Sequence, residues 1–501
     1  MAMRPVPAYD WTAYHAGLRP FEVALVDHGR DLEITFDDLD DRARRLAVWL
    51  AGQGVEPGER VAFLSANTTD IFEALFACAK LGAILVPLNW RLAIPELQFI
   101  VGDCRPQVLI VEGQFDEAAR SLATPSTLFL GDDYAEAKAS SNPSACPPVT
   151  ATHDDPWAIM YTSGTTGHPK GAIVTHGMVF WNAVNIGSAV GLTQASVSLN
   201  VLPTFHTGGL NLYVTPCIRL GARSIVLREF DPEIVLGHLA SGEVTHFFGV
   251  PAVYQFLAEH PGWAEAPLET VLSYACGGAP MPVALLERYA ARGIVIRQGM
   301  GLTETSPTLF LTDAAHALSK IGSVGRPVLH TEIKIVDEQG QEVGTGAIGE
   351  LWARGPNVTP GYWERPEANV GSFTDGWLHT GDAARMDEDG YVYIVDRWKD
   401  MYITGGENVY PAEVEQVLFR HPNVLDVAVI GVPDERWGES GVAVVVPRDA
   451  SSFDPAGLIG FLDGKVARYK VPARVEVAAE LPRNAAGKVL KRELRTRFGG
   501  S

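Results

Sequence analysis

Apolar positions in the first hundred residues follow two alternating rhythms. Leu39, Ala43, Leu46, Ala47 and Leu50 recur at helical spacing, and Thr35 with Asp38 stand where a capping pair would open that helix. Gly54 and Gly58 end it. Val61-Ala-Phe-Leu is short and uniformly apolar, which predicts a buried strand. The spacing then predicts a helix over 70–81, a strand at Ile84-Leu-Val, a helix after Pro95 and a strand at Val108-Leu-Ile-Val. Strands apolar on both faces, alternating with helices, indicate α/β layers around parallel sheets. Residues 139–152, rich in Ser, Ala and Pro, separate two such blocks and read equally as a domain boundary or an internal loop. No repeat or low-complexity tract interrupts the pattern.

Composition narrows the picture. With 501 residues, 47% hydrophobic and 20% charged, the chain exceeds one core and is expected to form at least two domains. Its net charge of −20 argues against nucleic-acid binding and against docking on anionic lipid. The charge is unevenly placed. From residue 397 onward basic and acidic residues nearly balance, so the acidic excess lies in residues 1–396. Cys78, Cys104, Cys146, Cys217 and Cys276 are scattered and never form a C-x-x-C pair, which excludes the usual zinc spacings and makes a reducing cytoplasm the expected location. No run is apolar or long enough for a signal peptide or a transmembrane segment.

The strongest chemical signal is Tyr161-Thr162-Ser163-Gly164-Thr165-Thr166-Gly167-His-Pro-Lys170-Gly, set between the apolar runs Trp157-Ala-Ile-Met and Ala172-Ile-Val. Its glycines allow a tight turn, its hydroxyls and amides suit phosphate oxygens, and Lys170 supplies charge. It is not a Walker loop, because Lys170 stands between Pro169 and Gly171. Gly344-Thr-Gly-Ala-Ile-Gly349 matches the dinucleotide fingerprint in letters, yet it leads into the strand-like Glu350-Leu-Trp-Ala and reads as a hairpin turn. Three further features are weak singly: Glu304 beside a glycine loop, Asp382 in Leu-His-Thr-Gly-Asp, and Lys488 on a polar loop near the end.

Taken together, in this order and spacing, these motifs resemble the adenylate-forming superfamily: acyl-CoA synthetases, peptide-synthetase adenylation domains and firefly luciferase. The resemblance runs from Thr35-Phe36 to Lys488. It implies a large N-terminal domain of layered α/β subdomains (1–396) and a small, mobile α+β C-terminal domain (397–501), joined by a hinge at Lys399. It also implies ATP, Mg²⁺ and coenzyme A. Thr162 to Lys170 would form the phosphate loop. Gly277, Gly278, Ala279 and Pro280, with Gln298, Gly299, Met300, Gly301 and Thr303, would sandwich adenine. Glu304 and Thr165 would hold the metal, and Asp382 and Arg397 the ribose. Lys488 would reach the substrate carboxylate and the α-phosphate, and Thr404-Gly405-Gly406 would line the pantetheine tunnel. Met300 departs from the pattern, since many relatives carry Tyr there.

The resemblance also bears on the acid. His206, in Pro-Thr-Phe-His-Thr-Gly-Gly, falls where a gating residue meets the acyl pocket, with Asn211, Gly277 and Gly301 around it and Phe247, Phe248, Val250 and Met300 as its expected apolar wall. Peptide-synthetase domains usually carry Asp at the position of His206, so amino acids are disfavoured. No Arg or Lys lies in these segments to pair a second carboxylate. A hydrophobic monocarboxylate remains, either an arylpropenoate or a medium- or long-chain fatty acid. Cys276-Gly-Gly-Ala-Pro-Met-Pro and Phe248-Gly-Val-Pro look closest to bacterial feruloyl-CoA and fatty-acyl-CoA synthetases. The alternative is an acyl-AMP ligase that loads a carrier-protein phosphopantetheine in trans. Luciferase-like oxygenation and nucleotide sensing find no support in these residues. Base rates leave a homodimer open.

Overall fold

Thr35 and Asp38 form the expected capping box. Thr35 Oγ1 accepts from Asp38 N at 3.1 Å, and Asp38 Oδ2 accepts from Thr35 N at 3.1 Å. The helix they open, Phe36–Gly52, buries Leu39, Ala43, Leu46, Ala47 and Leu50 along one face. The second helix spans Asp70–Leu81, closed by Gly82 in the left-handed conformation (φ 70°). In this computed structural model, residues 5–162, 169–405, 407–434, 436–483 and 489–499 are described.

Two sheets dominate the larger part of the chain. A six-stranded sheet runs in the order Ser126–Phe129, Val108–Val111, Arg60–Leu64, Ile84–Pro87, Pro156–Thr162, Lys170–Thr175. Its first five strands are parallel and the last turns back antiparallel. Residues 139–152 lie between two strands of this one sheet, so they are an internal loop and not a domain boundary.

The second sheet has nine strands. Six central ones are parallel: Val23–Asp27, Arg223–Val226, Val197–Asn200, His246–Gly249, Ser273–Cys276 and Ile296–Gly301. Antiparallel strands finish both edges. The central strands are apolar because helices cover both faces of such a sheet.

The chain divides into two compact units, residues 1–332 with 353–378, and residues 333–352 with 379–501. The break expected after residue 396 lies inside the second unit. There, Val424–Asp434 and Gly438–Pro447 pair antiparallel and Arg474–Val477 adds in parallel. Val427 and Val429 face Val414, Leu418 and Leu458. Ala428 and Ile430 face Leu494 and Leu481 on the opposite side. This part is α+β with mixed sheets, as expected. Gly344–Gly349 is a turn leading into the strand Gly349–Arg354, so the dinucleotide resemblance there is one of letters only. Among the described residues no helix is long and apolar enough to cross a membrane.

Candidate active site

Parallel strands end on one side of their sheet, and ligands in open α/β sheets bind beyond those carboxyl ends. Gly249 pairs with Cys276 and Cys276 with Gln298, so two strands end level while the third continues past them to Gly301. The segments that follow include those expected to hold adenine and acid, Val250, Gly277 to Pro280 and Gly299 to Thr303, and then Glu304, expected to hold the metal. His206 follows the neighbouring strand Val197–Asn200 on the same side. Parallel topology thus gathers residues up to about a hundred positions apart.

Gln298 ties two of these segments together, its Oε1 accepting from Met281 N at 3.2 Å. Gly278 takes a left-handed φ of 82°, and Gly278, Ala279 and Pro280 are exposed. Met300 is half-buried on the strand Ile296–Gly301, opposite Phe310. Glycine at 299 and 301 answers to packing. A Cβ on Gly299 would sit 2.9 Å from Phe310 O, and one on Gly301 1.7 Å from Pro307 O. Thr303 and Glu304 begin a single 3₁₀ turn, Thr303–Thr305.

One expectation about the acyl pocket is corrected. Phe247 is fully buried and packs edge-on against Tyr254 and Tyr274, inside the core. Successive side chains on a strand point to opposite faces, and half-buried Phe248 is the one beside Gly277, 3.0 Å from where a Cβ would lie.

Asn211 is also fully buried. Its Nδ2 donates to Ser306 O at 2.7 Å and to Ser306 Oγ at 2.9 Å, while Oδ1 accepts from Thr215. It holds the turn after Glu304 in place. His206 is half-buried beside Phe205, with ring centroids 4.6 Å apart. Burial, aided by the Arg91 charge, lowers its pKa to about 4, so the imidazole is neutral at pH 7.

Thr162 and Lys170 face each other across the antiparallel pair that brackets the segment expected to bind phosphate, with Thr162 Oγ1 donating to Lys170 O at 3.4 Å. Ser163, Gly164, Thr165, Thr166 and Gly167 lie outside the described residues. Lys170 Nζ lies 5.3 Å from the centroid of the Tyr362 ring. The hydroxyl of that ring donates to Glu304 Oε1 at 2.8 Å. Thr359 joins the same elements: its N donates to Glu304 O at 2.8 Å, and its Oγ1 to Ile173 O at 2.6 Å. Neither Tyr362 nor Thr359 was expected from the sequence. They sit on an irregular stretch with no periodicity, where Gly361-Tyr-Trp is the sole local cue.

Glu304 fits the role of a magnesium ligand. It is a half-exposed hard oxygen donor, and its Oε2 takes no hydrogen bond among the described residues. No group of three or more His, Cys, Asp and Glu side chains converges among those residues. A lone carboxylate suits an ion that draws its other ligands from phosphate and water.

In the second unit Asp382 and Arg397 are cross-strand partners, with Arg397 Nη1 2.9 Å from Asp382 Oδ1. Arg397 also donates to Thr380 O at 3.3 Å. The pair fixes a mostly buried carboxylate, as a diol-binding group requires. Lys399 lies in the 3₁₀ turn Trp398–Asp400. Gly405 has a φ of 60° and donates its N–H to Trp437 O at 2.9 Å. Gly406 and Lys488 lie outside the described residues.

A model of AMP-binding enzymes matches residues 13–363, and one of the AMP-binding enzyme C-terminal domain matches 413–488. The chain is 44% identical to a feruloyl-CoA synthase from an Amycolatopsis species, over 98% of this chain and 99% of that protein. It is 38% identical to a fatty acid–[acyl-carrier-protein] ligase from Streptomyces coeruleorubidus, over 98% and 96%. The o-succinylbenzoate CoA synthetase from Bacillus subtilis, solved with its acyl-adenylate intermediate, superposes with a TM-score of 0.89 at 32% identity, covering 100% of each chain. The same synthetase with ATP and magnesium ion gives 0.87 at 32%, covering 98% of this chain and 99% of that one. With both domain models matched and full-length relatives at this identity, the chain belongs to the AMP-binding enzyme family, among the AMP-forming acyl-CoA ligases of the adenylate-forming superfamily.

Proposed function

We propose that this ligase activates an arylpropenoate, of the ferulate or coumarate class, with ATP and transfers it to coenzyme A. The observation that carries the reading is the joining of Lys170 and Glu304 through Tyr362, beside the carboxyl ends of the strands that lead into the acyl and adenine segments. The apolar wall at Phe248 and Met300 suits one carboxylate on a hydrophobic body. The 44% identity to a feruloyl-CoA synthase favours the aryl acid over a fatty one.

The reaction has two steps. A substrate carboxylate oxygen attacks the α-phosphorus of ATP, the bond to the β-phosphate oxygen breaks, and pyrophosphate leaves acyl-AMP. The thiol then attacks the acyl carbon, the bond to the AMP oxygen breaks, and the thiol proton passes to solvent. Both reactants of the first step are anions, so neutralisation and alignment dominate. Lys170 and the segment Thr162 to Lys170 would serve the phosphates, and Asp382 with Arg397 would orient the ribose. Lys488 would serve the reacting oxygens. Glu304, with Thr165, would hold Mg²⁺, which when bound supplies charge neutralisation at the phosphates. Neutral His206 can border the acid without adding a charge that would select a dicarboxylate.

The test is pyrophosphate release over a panel of arylpropenoates, arylacetates, fatty acids and malonate, each with and without CoA. Release with arylpropenoates and a CoA thioester as product are expected. Silence with every acid overturns the ligase reading. Release with fatty acids alone moves the substrate class. The resemblance to a carrier-protein ligase supports a second reading, in which a phosphopantetheinyl carrier replaces CoA. Thioester formed on a carrier protein and not on CoA would decide for it.

A further inference from the structure

Lys170 and Glu304 carry opposite charges, and both meet one aromatic ring. The Tyr362 hydroxyl donates to Glu304 Oε1 at 2.8 Å, and Lys170 Nζ lies 5.3 Å from the ring centroid. The ring is fixed from several directions. Tyr362 N donates to Asn369 Oδ1 at 2.8 Å, and Tyr362 bridges Ala172 on the strand Lys170–Thr175. Trp363 N donates to Gly171 O at 2.8 Å. Arg365 pairs with Asp103, which also accepts at 2.6 Å from the hydroxyl of Tyr161, the residue before Thr162. Arg105 grips both oxygens of Glu364 at 2.7 Å. So many ties on an irregular segment hold one side chain in one place.

We propose that Tyr362 is a positioning residue for the metal–nucleotide step: its hydroxyl orients the Glu304 carboxylate toward the metal, and its ring face occupies the Lys170 ammonium. The proposal rests on the reading of Glu304 and Lys170 as the metal and phosphate groups. Without the ring, the lysine and the glutamate are free to pair with each other, and each then competes with the ligand of the other. With it, the cation is held by a π face, a weaker partner that phosphate readily replaces. The hydroxyl meanwhile fixes one carboxylate oxygen and leaves the other directed, as partners of metal ligands do.

Two substitutions separate the roles. Tyr362→Phe keeps the ring and removes the donor. Tyr362→Gln keeps a donor and removes the ring. Mn²⁺ is titrated into the full chain with a non-hydrolysable ATP analogue and followed by electron paramagnetic resonance, with the steady-state KM for ATP measured alongside. Y362F is expected to weaken Mn²⁺ binding about tenfold or more while the KM for ATP stays near wild type. Y362Q is expected to raise the KM for ATP about threefold or more, with Mn²⁺ binding closer to wild type than in Y362F. Unchanged Mn²⁺ affinity in Y362F overturns the carboxylate role, and unchanged KM in Y362Q overturns the lysine role. A general packing role would instead move both readouts equally in both variants, and that result also overturns the proposal. Glu304→Gln tests the ground beneath: if it binds Mn²⁺ as wild type does, Glu304 is not the metal ligand and the underlying reading fails. If E304Q loses Mn²⁺ and Y362F does not, the inference about Tyr362 alone fails.

Discussion

Adjacent phenylalanines on one strand have opposite fates. Phe247 is fully enclosed by Tyr254 and Tyr274, and its loss opens a cavity. Phe247→Ala is expected to cost about 3–5 kcal/mol of stability with little change in the order in which acids are preferred. Phe248→Ala is expected to leave the melting temperature near wild type and to raise kcat/KM for bulkier acids relative to cinnamate by about tenfold. Thermal denaturation and the acid panel check both. A shifted acid preference in F247A with unchanged stability would reverse the assignment. The sequence shows a strand at these positions but not its phase. Both residues are apolar, and a parallel strand covered on both faces carries no polar marks to say which side meets a ligand. The motif alone points to His206, and its neutrality at pH 7 follows from burial, which single-sequence reading does not supply.

Glycines illustrate the same limit within elements. Gly301 sits on an exposed strand end, at a shift of register between Met300 and Gly301. There any Cβ would lie 1.7 Å from Pro307 O. Gly344 opens the motif that matches the dinucleotide fingerprint, yet nothing lies within 4 Å of its Cβ position. Gly301→Ala is expected to cost about 1–3 kcal/mol and to impair adenylation, because the strand carrying Met300 and leading to Glu304 must shift. Gly344→Ala is expected to stay within about 0.5 kcal/mol and to retain activity. Paired melts and pyrophosphate exchange measure both; a harmless G301A would show that the strand end yields. Element boundaries were more legible. The capping box at Thr35, the helical run ending at Leu81 and the apolar strand runs all act locally, within a few residues of chain. Thr359 and Tyr362 were not legible, since their roles arise from contacts with residues 55 and more positions away in the chain, made from an irregular stretch.

Composition at the scale of the whole chain locates a change of character near residue 397, whereas the compact units divide elsewhere. Residues 333–352 and 379–396 fold with the C-terminal part because strand pairing joins Asp382 to Arg397 and the Thr380 hydroxyl donates to Leu351 O. Such pairings leave no trace in charge balance. The near-neutral stretch from 397 onward still bears on mechanism, since groups serving ATP and CoA should not add to the repulsion between anions. Lys488 is the residue proposed to matter most there, and its charge is needed in one step only. While the carboxylate and the α-phosphate approach, a cation at the reacting oxygens offsets their repulsion. Once AMP is the leaving group and a thiol attacks, the anionic pair to be joined is gone. Lys488→Ala is therefore expected to lower acyl-AMP formation about 10²- to 10³-fold, read as pyrophosphate exchange. Thioester formation from supplied acyl-AMP and CoA should fall by no more than about threefold. Equal losses in both half-reactions would assign Lys488 to substrate binding or to folding, and would remove the reason for a separate C-terminal module in the first step.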